Sequence, residues 1–279
     1  MKFGFIMFPT ADSIRPGDLA RLLESRGFES LFFPDHTHIP ARSPEVHDVA
    51  TLPLEFSSGM DCFVALGAAA EATDVLQLGT AVALVTERDH FATAKAVASL
   101  DVLSGGRMNF GVGPGWIYQE LRDHGVRPED RFRLQRERVE AMKAIWTESE
   151  ASYYGEFVRF DAVRSWPKPL RRPHPPILVA GNGPRVADKV VAYGDEWIPM
   201  LRPGVLDRIA EFKRTVTRPD TGEPYPVTLF GGDVADVAAY ARAGVDRCLF
   251  WPRPAGRREM TALVDRVALG LGQRLDSAR

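Results

Sequence analysis

The sequence predicts an α/β fold, a (β/α)8 barrel (TIM barrel) with insertions, because short apolar runs alternate with helical patterns along the chain. Eight such runs can be counted, and a helical pattern follows each of them. The runs are continuously apolar, as parallel strands covered on both faces are. No run is followed by GxGxxG with an acid about 20 residues further on, which argues against a dinucleotide-binding sheet. An open doubly wound sheet remains the alternative, because periodicity does not show closure.

The strand-like runs are 2–8, 29–34, 75–84, 107–113, 175–181, 196–200, 225–232 and 247–252. The clearest helical patterns occupy 15–27, 61–73, 91–104, 116–148 and a stretch from about Pro184 to Tyr193. Alternating aromatic residues around Gly155 predict a small hairpin at 151–163, inserted at about 150–165 before the fifth strand. We find no linker or low-complexity tract, so we expect a single domain over 1–279.

Composition excludes several classes of function. The 279 residues carry a formal net charge of -2, which argues against general binding to nucleic acid or anionic membranes. No run approaches the roughly 18 apolar residues of a membrane helix, and the opening MKFGFIMFPT lacks a signal-peptide pattern. Cys62 and Cys248 lie far apart in apolar surroundings and are expected to be buried hydrophobic residues. We expect a cytoplasmic protein.

The second strand-like run ends in three polar residues, Asp35, His36 and His38. In a (β/α)8 barrel the carboxyl ends of the strands form the active site. An acid–base site, a metal site and an ordinary loop all fit this pattern. No third ligand is visible beside the two histidines, so we expect no bound metal, and a metal-dependent hydrolase is the least favoured alternative.

Two glycine-containing segments follow later strands, GVGPGW at 111–116 and AGNGP at 180–184. Glycines let a flat or anionic ligand approach the backbone closely. Pro184 is suited to the first turn of a helix, whose free N–H groups attract phosphate, and Arg185 stands beside it. The same Asn-Gly-Pro sequence is also an ordinary turn and cap.

Six stretches in order resemble the luciferase-like monooxygenase superfamily, specifically the branch that depends on the deazaflavin coenzyme F-420 (F420). They are FFPDHTHIP, LQLGTAVAL, TAKAVASLDVLSGGRMNFGVGPGW, ERVEAMKAIWT, PPILVAGNGPRVADKVVAYGDEWIP and AGVDRCLFW. The resemblance implies a (β/α)8 barrel that binds flavin mononucleotide (FMN) or reduced F420 at its carboxyl face. It also implies that His36 is the catalytic histidine, preceded by the family's acid, Asp35, which would fix the His36 tautomer or contact the ring.

The resemblance also implies a set of cofactor contacts. Ala81 and Val82 match a non-prolyl cis peptide that bulges against the deazaflavin, and Gly113 and Gln119 match positions near the ring's polar edge. Gly181, Asn182 and Gly183 match the segment on the ring or phosphate side, with Arg185 next to them.

Two departures from related sequences bear on the reaction. Trp116 occupies the position of a proton-donating glutamate in the family's sugar-phosphate dehydrogenases, so their reaction is not expected. Pro114 stands where luciferases carry a phosphate-binding arginine, which weakens the FMN interpretation. Only six of the 35 basic residues are lysines, a composition typical of GC-rich actinobacterial genomes, where F420 is made. These points favour the deazaflavin.

The expected function is F420-dependent hydride transfer to or from a small organic substrate, with His36 moving the accompanying proton. The alternatives are an FMN-dependent monooxygenase supplied by a separate flavin reductase, and a non-catalytic flavin-binding barrel. The large residues Phe56, Met60, Trp116, Met200 and Trp251 either line a substrate pocket or belong to the core. Loop 37–60, with His47, Asp48 and Glu55, is a lid or a solvated connection. A homodimer is expected from the resemblance.

Overall fold

The computed structural model describes residues 1–42 and 52–276; His47 and Asp48 of the predicted lid lie outside them. The strands are β1 (Lys2–Ile6), β2 (Ser30–Phe33), β3 (Gln77–Leu84), β4 (Met108–Gly113), β5 (Ala151–Tyr154), β6 (Arg159–Val163), β7 (Ile177–Ala180), β8 (Glu196–Ile198), β9 (Thr228–Gly232) and β10 (Arg247–Phe250). The helices are α1 (Pro16–Ser25), α2 (Glu55–Ser58), α3 (Cys62–Glu71), α4 (His90–Leu103), α5 (Tyr118–Asp123), α6 (Arg131–Thr147), α7 (Val186–Tyr193), α8 (Val205–Thr215), α9 (Val237–Ala243), α10 (Arg257–Leu271) and α11 (Gln273–Asp276).

Eight strands form one parallel sheet in the order β8-β7-β4-β3-β2-β1-β10-β9. Two parallel bridges, Trp197 with Val227 and Met200 with Phe230, join the outer strands β8 and β9 and close the barrel. The remaining pair, β5 and β6, is an antiparallel hairpin outside the barrel. The (β/α)8 barrel predicted from the sequence is therefore confirmed, and so is the hairpin at 151–163.

The barrel has an inner and an outer apolar layer. The inner cluster fills the barrel interior with side chains from six strands, Ile6, Phe32, Ala81, Leu178, Ile198 and Leu249. The larger outer cluster packs the sheet against the surrounding helices. This two-sided burial explains why β2 (Ser30–Phe33) is completely buried and reads as a continuous apolar run. No helix in the described ranges is long and apolar enough to cross a membrane.

Element ends differ from the predictions in an informative way. Several strands stop earlier than the apolar runs do: β1 ends at Ile6, so Met7 and Phe8 follow the strand toward the carboxyl end. The helical stretch at 116–148 is two helices, because Gly125 follows α5 with a left-handed backbone (φ 73°). The predicted helix from Pro184 begins two residues later, at Val186. An apolar run predicts which residues are buried. The hydrogen bonds between strands end earlier, at the residue where the chain leaves the sheet toward the cavity.

The amino end of the barrel is closed by an ion cluster of Arg247, Glu29 and Glu196, which we call the amino-end cluster. The Arg247 guanidinium donates to both Glu29 oxygens at 2.8 and 2.9 Å and lies 3.4 Å from Glu196 Oε1. It also donates to Thr228 Oγ1 at 3.0 Å. Burial raises the pKa of Glu29, but the charge and hydrogen bonds of Arg247 outweigh burial and leave that pKa lowered. Arg247 therefore compensates Glu29 in full and Glu196 in part, because burial outweighs Arg247 at Glu196 and leaves its pKa raised.

Candidate active site

A cavity of about 810 Å³ lies at the carboxyl end of the barrel. Its walls combine residues within or just after the carboxyl ends of β1, β2, β3, β4, β7, β8, β9 and β10 with residues from α6 and α7. A volume of this size is typical of small-molecule and cofactor sites. The cavity thus lies where the sequence places the active site of a (β/α)8 barrel.

One part of the cavity is aromatic. The ring of Phe56 packs 5.7 Å from the His36 ring, 4.8 Å from Phe8 and 6.4 Å from Trp251. Trp116 meets the His36 ring edge-on at 6.1 Å and is 44% exposed, so it is not a core residue. Of the predicted pocket residues, Phe56, Trp116, Met200 and Trp251 line the cavity, and Met60 is absent from its lining.

His36 is held by a glutamate that the sequence interpretation did not single out. The Nδ1 atom of His36 lies 2.8 Å from Oε2 of Glu120 on α5, and the carboxylate also accepts the backbone N–H of Thr37 at 3.3 Å. Glu120 is completely buried. Because Nδ1 is bonded to Glu120, the other ring nitrogen of His36, Nε2, is left without a protein partner among the described residues.

Asp35 lines the cavity but does not orient His36, which corrects the tautomer-fixing role expected of it. Its carboxylate receives two bonds of 2.6 Å from the guanidinium of Arg88 and a third, of 3.0 Å, from the backbone N–H of Leu84. The second partner of Arg88 is Asp61, at 2.8 Å. Asp35 therefore ties the end of β2 to the end of β3, and the task of orienting His36 belongs to Glu120.

The peptide between Ala81 and Val82 is cis, as the resemblance implied. The pairing of β3 with β4 shifts register at this point, between Thr80 and Ala83. A β-carbon on Gly113 would lie 2.6 Å from the side chain of Val82, so only glycine fits opposite the bulge. Ala81, Val82 and Gly113 all line the cavity.

A second part of the cavity carries four cations, Arg131, Arg185, Lys189 and Arg202, which we call the cationic wall. The Lys189 ammonium lies 3.4 Å from the Phe132 ring centre, and the Arg131 guanidinium lies 4.3 Å from the same centre. Burial, together with the charges of Arg185 and Arg131, lowers the pKa of Lys189 to about 8. Repulsion among fixed cations indicates a site that favours an anion.

The predicted loop Gly181-Asn182-Gly183 lines the same cavity and is held by hydrogen bonds to Trp197 and Met200. Asn182 exchanges two side-chain bonds with the backbone of Met200, at 2.7 and 3.1 Å, and Trp197 Nε1 donates to the Gly181 carbonyl at 2.8 Å. Gly181 has φ 138°, a conformation that suits glycine, and a β-carbon on Gly183 would meet nothing within 4 Å. The carbonyls of Asn182 and Gly183 accept from Arg208 and the Asn182 amide is engaged, so the open part of the loop is the space beside Gly183 that a side chain would fill.

Gln119 is brought near this region but is not part of the cavity lining. Its amide donates to Asp123 Oδ1 at 2.7 Å, on the surface of α5. Nearby, Thr37 Oγ1 bridges His38 and His124 at 3.0 and 2.7 Å, and His38 Nε2 lies 3.1 Å from Asp123. Within residues 1–42 and 52–276, no group of three or more His, Cys, Asp or Glu side chains is arranged to hold a metal ion.

Five residues at or near the site were not identified from the sequence: Glu87, Arg88, Glu120, Arg131 and Lys189. Glu87 and Arg88 come within four residues of the end of β3, so their position near a strand end was a usable signal. Glu120 lies on α5, four residues after Trp116, and only the fold brings it to His36. Arg131 begins α6 and Lys189 lies within α7, and neither carried a local signal.

Comparison with known proteins matches residues 10–218 to the family model of luciferase-like monooxygenases. A Mycobacterium tuberculosis protein of uncharacterised function is 39% identical, over 97% of this chain and 99% of its own length. The F420-dependent glucose-6-phosphate dehydrogenase of Nakamurella multipartita is 30% identical, over 76% of this chain and 67% of its own.

Solved structures show the same fold at low identity. The monooxygenase RslO1 from Streptomyces bottropensis superposes with a TM-score of 0.76 at 20% identity, covering 97% of this chain and 98% of its own. An F420-dependent secondary alcohol dehydrogenase, in complex with an F420–acetone adduct, superposes with a TM-score of 0.74 at 17% identity, covering 100% and 99%.

Proposed function

The chain belongs to the luciferase-like monooxygenase family, and we propose that it is an F420-dependent oxidoreductase that transfers a hydride between the cofactor and a small organic substrate. The observation that carries the proposal is the geometry of His36, whose side chain is buried in the cavity. Its Nδ1 is bonded to Glu120, and its Nε2 has no protein partner among the described residues. A histidine held in this way can exchange a proton with a substrate while its ring stays fixed. The names of F420-dependent dehydrogenases among the relatives support the same class of reaction.

The residues present fit a flat, anionic cofactor. Ala81, Val82 and Gly113 would hold the ring system against the bulge in β3, and the open backbone of Gly183 and the cationic wall would hold its anionic tail. FMN ends in one phosphate monoester, whereas F420 has a phosphodiester followed by carboxylates. Four cations along one wall therefore favour F420. When bound, the deazaflavin would supply the hydride in its reduced form or accept it in its oxidised form.

The chain's own contribution is orientation, water exclusion and the proton. Phe56, Trp116 and Trp251 surround His36 with apolar surface, which lowers the local dielectric and favours a weakly polar substrate. The His36 side chain is 5% exposed. In the proposed reaction, Nε2 of His36 delivers a proton to the substrate oxygen on reduction, or removes it on oxidation, while Glu120 stabilises the charged ring.

The alternative is an FMN-dependent monooxygenase that receives reduced flavin from a separate reductase. Flavin monooxygenases among the relatives support it, including an FMNH2-dependent dimethylsulfone monooxygenase that is 36% identical over 37% of this chain. A flavin-binding barrel without catalysis is the third alternative. The cytoplasmic location and the homodimer expected from the sequence are part of this proposal, and cell fractionation and sedimentation velocity test them.

The test is a fluorescence titration of the purified protein with F420 and, separately, with FMN. We expect F420 to bind more tightly than FMN, and Arg185→Met to weaken F420 binding by about 3–10-fold through loss of one charge contact. Arg214→Met is the matched control, because Arg214 is exposed on the outer helix α8 and loses the same charge outside the cavity. Tighter binding of FMN, with oxygen consumption, would support the monooxygenase instead.

A further inference from the structure

Glu87 is a buried acid that the proposed reaction does not yet use. It lies after β3, between Thr86 and Arg88. The hydroxyl of Thr86 donates to the Pro114 carbonyl at 3.0 Å. The residue is 5% exposed, and neither carboxyl oxygen has a hydrogen-bond donor among the described residues. Its Oε1 lies where a β-carbon on Gly115 would be only 2.4 Å away, so the carboxyl packs against the backbone of the β4–α5 loop.

The partner within reach of Glu87 is a second carboxyl, that of Glu120. Two carboxyls form a hydrogen bond only when one of them carries a proton. Burial is the largest cause that raises the pKa of Glu87, to about 9, and the charge and hydrogen bond of Glu120 act in the same direction. Two buried carboxyls in hydrogen-bond contact do not both ionise near neutral pH.

We propose that Glu87 and Glu120 share one proton at neutral pH, and that neutral Glu87 is a positioning residue that donates a hydrogen bond to the Glu120 carboxylate bound to His36. Glu120 then accepts three donors: Glu87, the Nδ1–H of His36 and the Thr37 N–H. A buried carboxylate with three donors is satisfied without a Lys or Arg partner. The single charge that remains faces His36.

The charges around the pair explain why the proton is needed. The charged or titratable neighbours are Asp35, His36, Arg88, His124 and Arg138. Arg88 is already paired with Asp35 and Asp61, and the Arg138 guanidinium donates to the carbonyls of Val85 and Arg88. Neither guanidinium bonds to Glu87 or Glu120. Because no arginine neutralises the second negative charge of this pair, a proton does so instead.

The consequence for catalysis rests on the proposed function. With Glu120 held as a single carboxylate, His36 keeps its proton on Nδ1 in the neutral ring, and Nε2 alone gains or loses a proton during turnover. The shared proton stays on the carboxyl pair throughout, so the pair neither adds nor removes a proton from the overall reaction. Trp116 stands at the position that the resemblance assigns to a glutamate in the sugar-phosphate dehydrogenases. In this chain the acid pair lies instead on the Nδ1 side of the His36 ring.

The test is nuclear magnetic resonance on the cofactor-free protein, with carboxyl carbons labelled with ¹³C and histidine ring nitrogens labelled with ¹⁵N. We expect one carboxyl signal that titrates near pH 9, is lost in Glu87→Gln and is kept in the matched control Glu129→Gln, an exposed acid. The His36 ring should be in the Nδ1–H tautomer in the wild type and in Glu87→Gln, whose amide still donates. Glu87→Leu should lose that uniform tautomer, since it removes the donor.

Two results would overturn the shared proton: a wild-type protein in which no carboxyl signal titrates above pH 7, or a high-pH signal that persists in Glu87→Gln. Near-ultraviolet circular dichroism of each variant establishes that it is folded, and Glu120→Gln offers a second route if Glu87→Leu does not fold. In Glu120→Gln the signal of Glu87 should move to lower pH, because the neighbouring charge is gone. None of these readouts needs cofactor or substrate, so failure of the F420 proposal would leave them unchanged.

Discussion

The two ends of the barrel differ in whether every buried acid contacts a cation. At the amino end, Arg247 contacts both acids of the amino-end cluster. At the carboxyl end, Glu87 has another carboxyl as its neighbour and no donor among the described residues. A cation therefore contacts both acids of the cluster at the end where (β/α)8 folds are built for stability. At the other end Arg88 pairs with Asp35, but Glu87 and Glu120 beside His36 contact no cation among the described residues, and a strongly raised pKa in such a cleft marks a candidate functional site.

The same contrast extends to the cations. Arg247 is neutralised by its neighbours, whereas Arg185, Lys189 and Arg131 repel one another in the cavity and lower the pKa of Lys189. An arrangement of like charges lowers the free energy of unfolding, and such arrangements are expected at sites of binding or catalysis. The comparison therefore predicts that substitutions at the amino end lower the free energy of unfolding, whereas substitutions at the carboxyl end change binding and turnover and can raise stability.

The largest effect should come from His36→Asn, which removes the proton-exchanging ring at the carboxyl end. With any compound that a screen of small ketones and their alcohols identifies as a substrate, kcat should fall by about 10²–10⁴-fold. F420 affinity and the thermal midpoint should stay close to wild type. His38→Asn is the matched control, because His38 belongs to the same loop but is absent from the cavity lining. Full turnover in His36→Asn would show that this residue is not the acid–base group of the reaction.

Arg247→Met should produce the largest loss of stability, because it leaves Glu29 and Glu196 buried without their cation. Breaking a buried pair from one side lowers the free energy of unfolding by about 3–5 kcal/mol. The exposed pair of Arg26 with Asp265, 2.7 Å apart, is the control, and Arg26→Met should lower it by less than about 1 kcal/mol. Urea unfolding measures both. Equal losses in the two variants would mean that the amino-end cluster is not the compensated structure described above.

The fold was largely predictable from the sequence, because burial on both faces of a parallel strand leaves a continuous apolar run. All eight runs needed only shorter ends; 75–84, for example, became β3 at Gln77–Leu84. Closure was not predictable, since it depends on bridges such as Trp197 with Val227 that join residues distant in sequence. The strand ends themselves were set by where each chain segment turns into the cavity.

The site was predictable only where one strand end carried the chemistry. Asp35 and His36 stand out because polar residues directly follow the apolar run of β2. Glu120 reaches His36 from α5, and Glu87 reaches Glu120 from the segment after β3, so the pairing of the two acids is a property of the barrel and not of any local pattern. The role expected of Asp35 went to Glu120 for the same reason: the sequence does not show that Arg88 engages Asp35.

Glu87→Gln should raise stability at neutral pH, in contrast to substitutions at the amino end. The pKa of Glu87 is about 9 in the folded chain against an ordinary value of 4.5. Below pH 4.5 both states hold the proton; between 4.5 and 9 only the folded state does, so wild-type stability declines as pH rises through this window. Gln removes the decline, with a gain of at most about 3 kcal/mol at pH 7. Thermal midpoints at pH 4.5, 7 and 9 should diverge with pH; parallel curves would contradict the prediction.

The smallest effect concerns Lys189 and sharpens the contrast in the cations. Because its pKa is about 8, Lys189 is charged at pH 7 and loses its charge by pH 9. An anionic ligand binds the charged form better, so F420 affinity should fall by about 2–5-fold between these pH values, the worth of one partly exposed ion contact. Lys189→Met should bind F420 with the lower affinity at both pH values, whereas Arg214→Met should keep the wild-type dependence. A pH dependence that survives in Lys189→Met would assign the titration to another group and leave Lys189 outside the anion site.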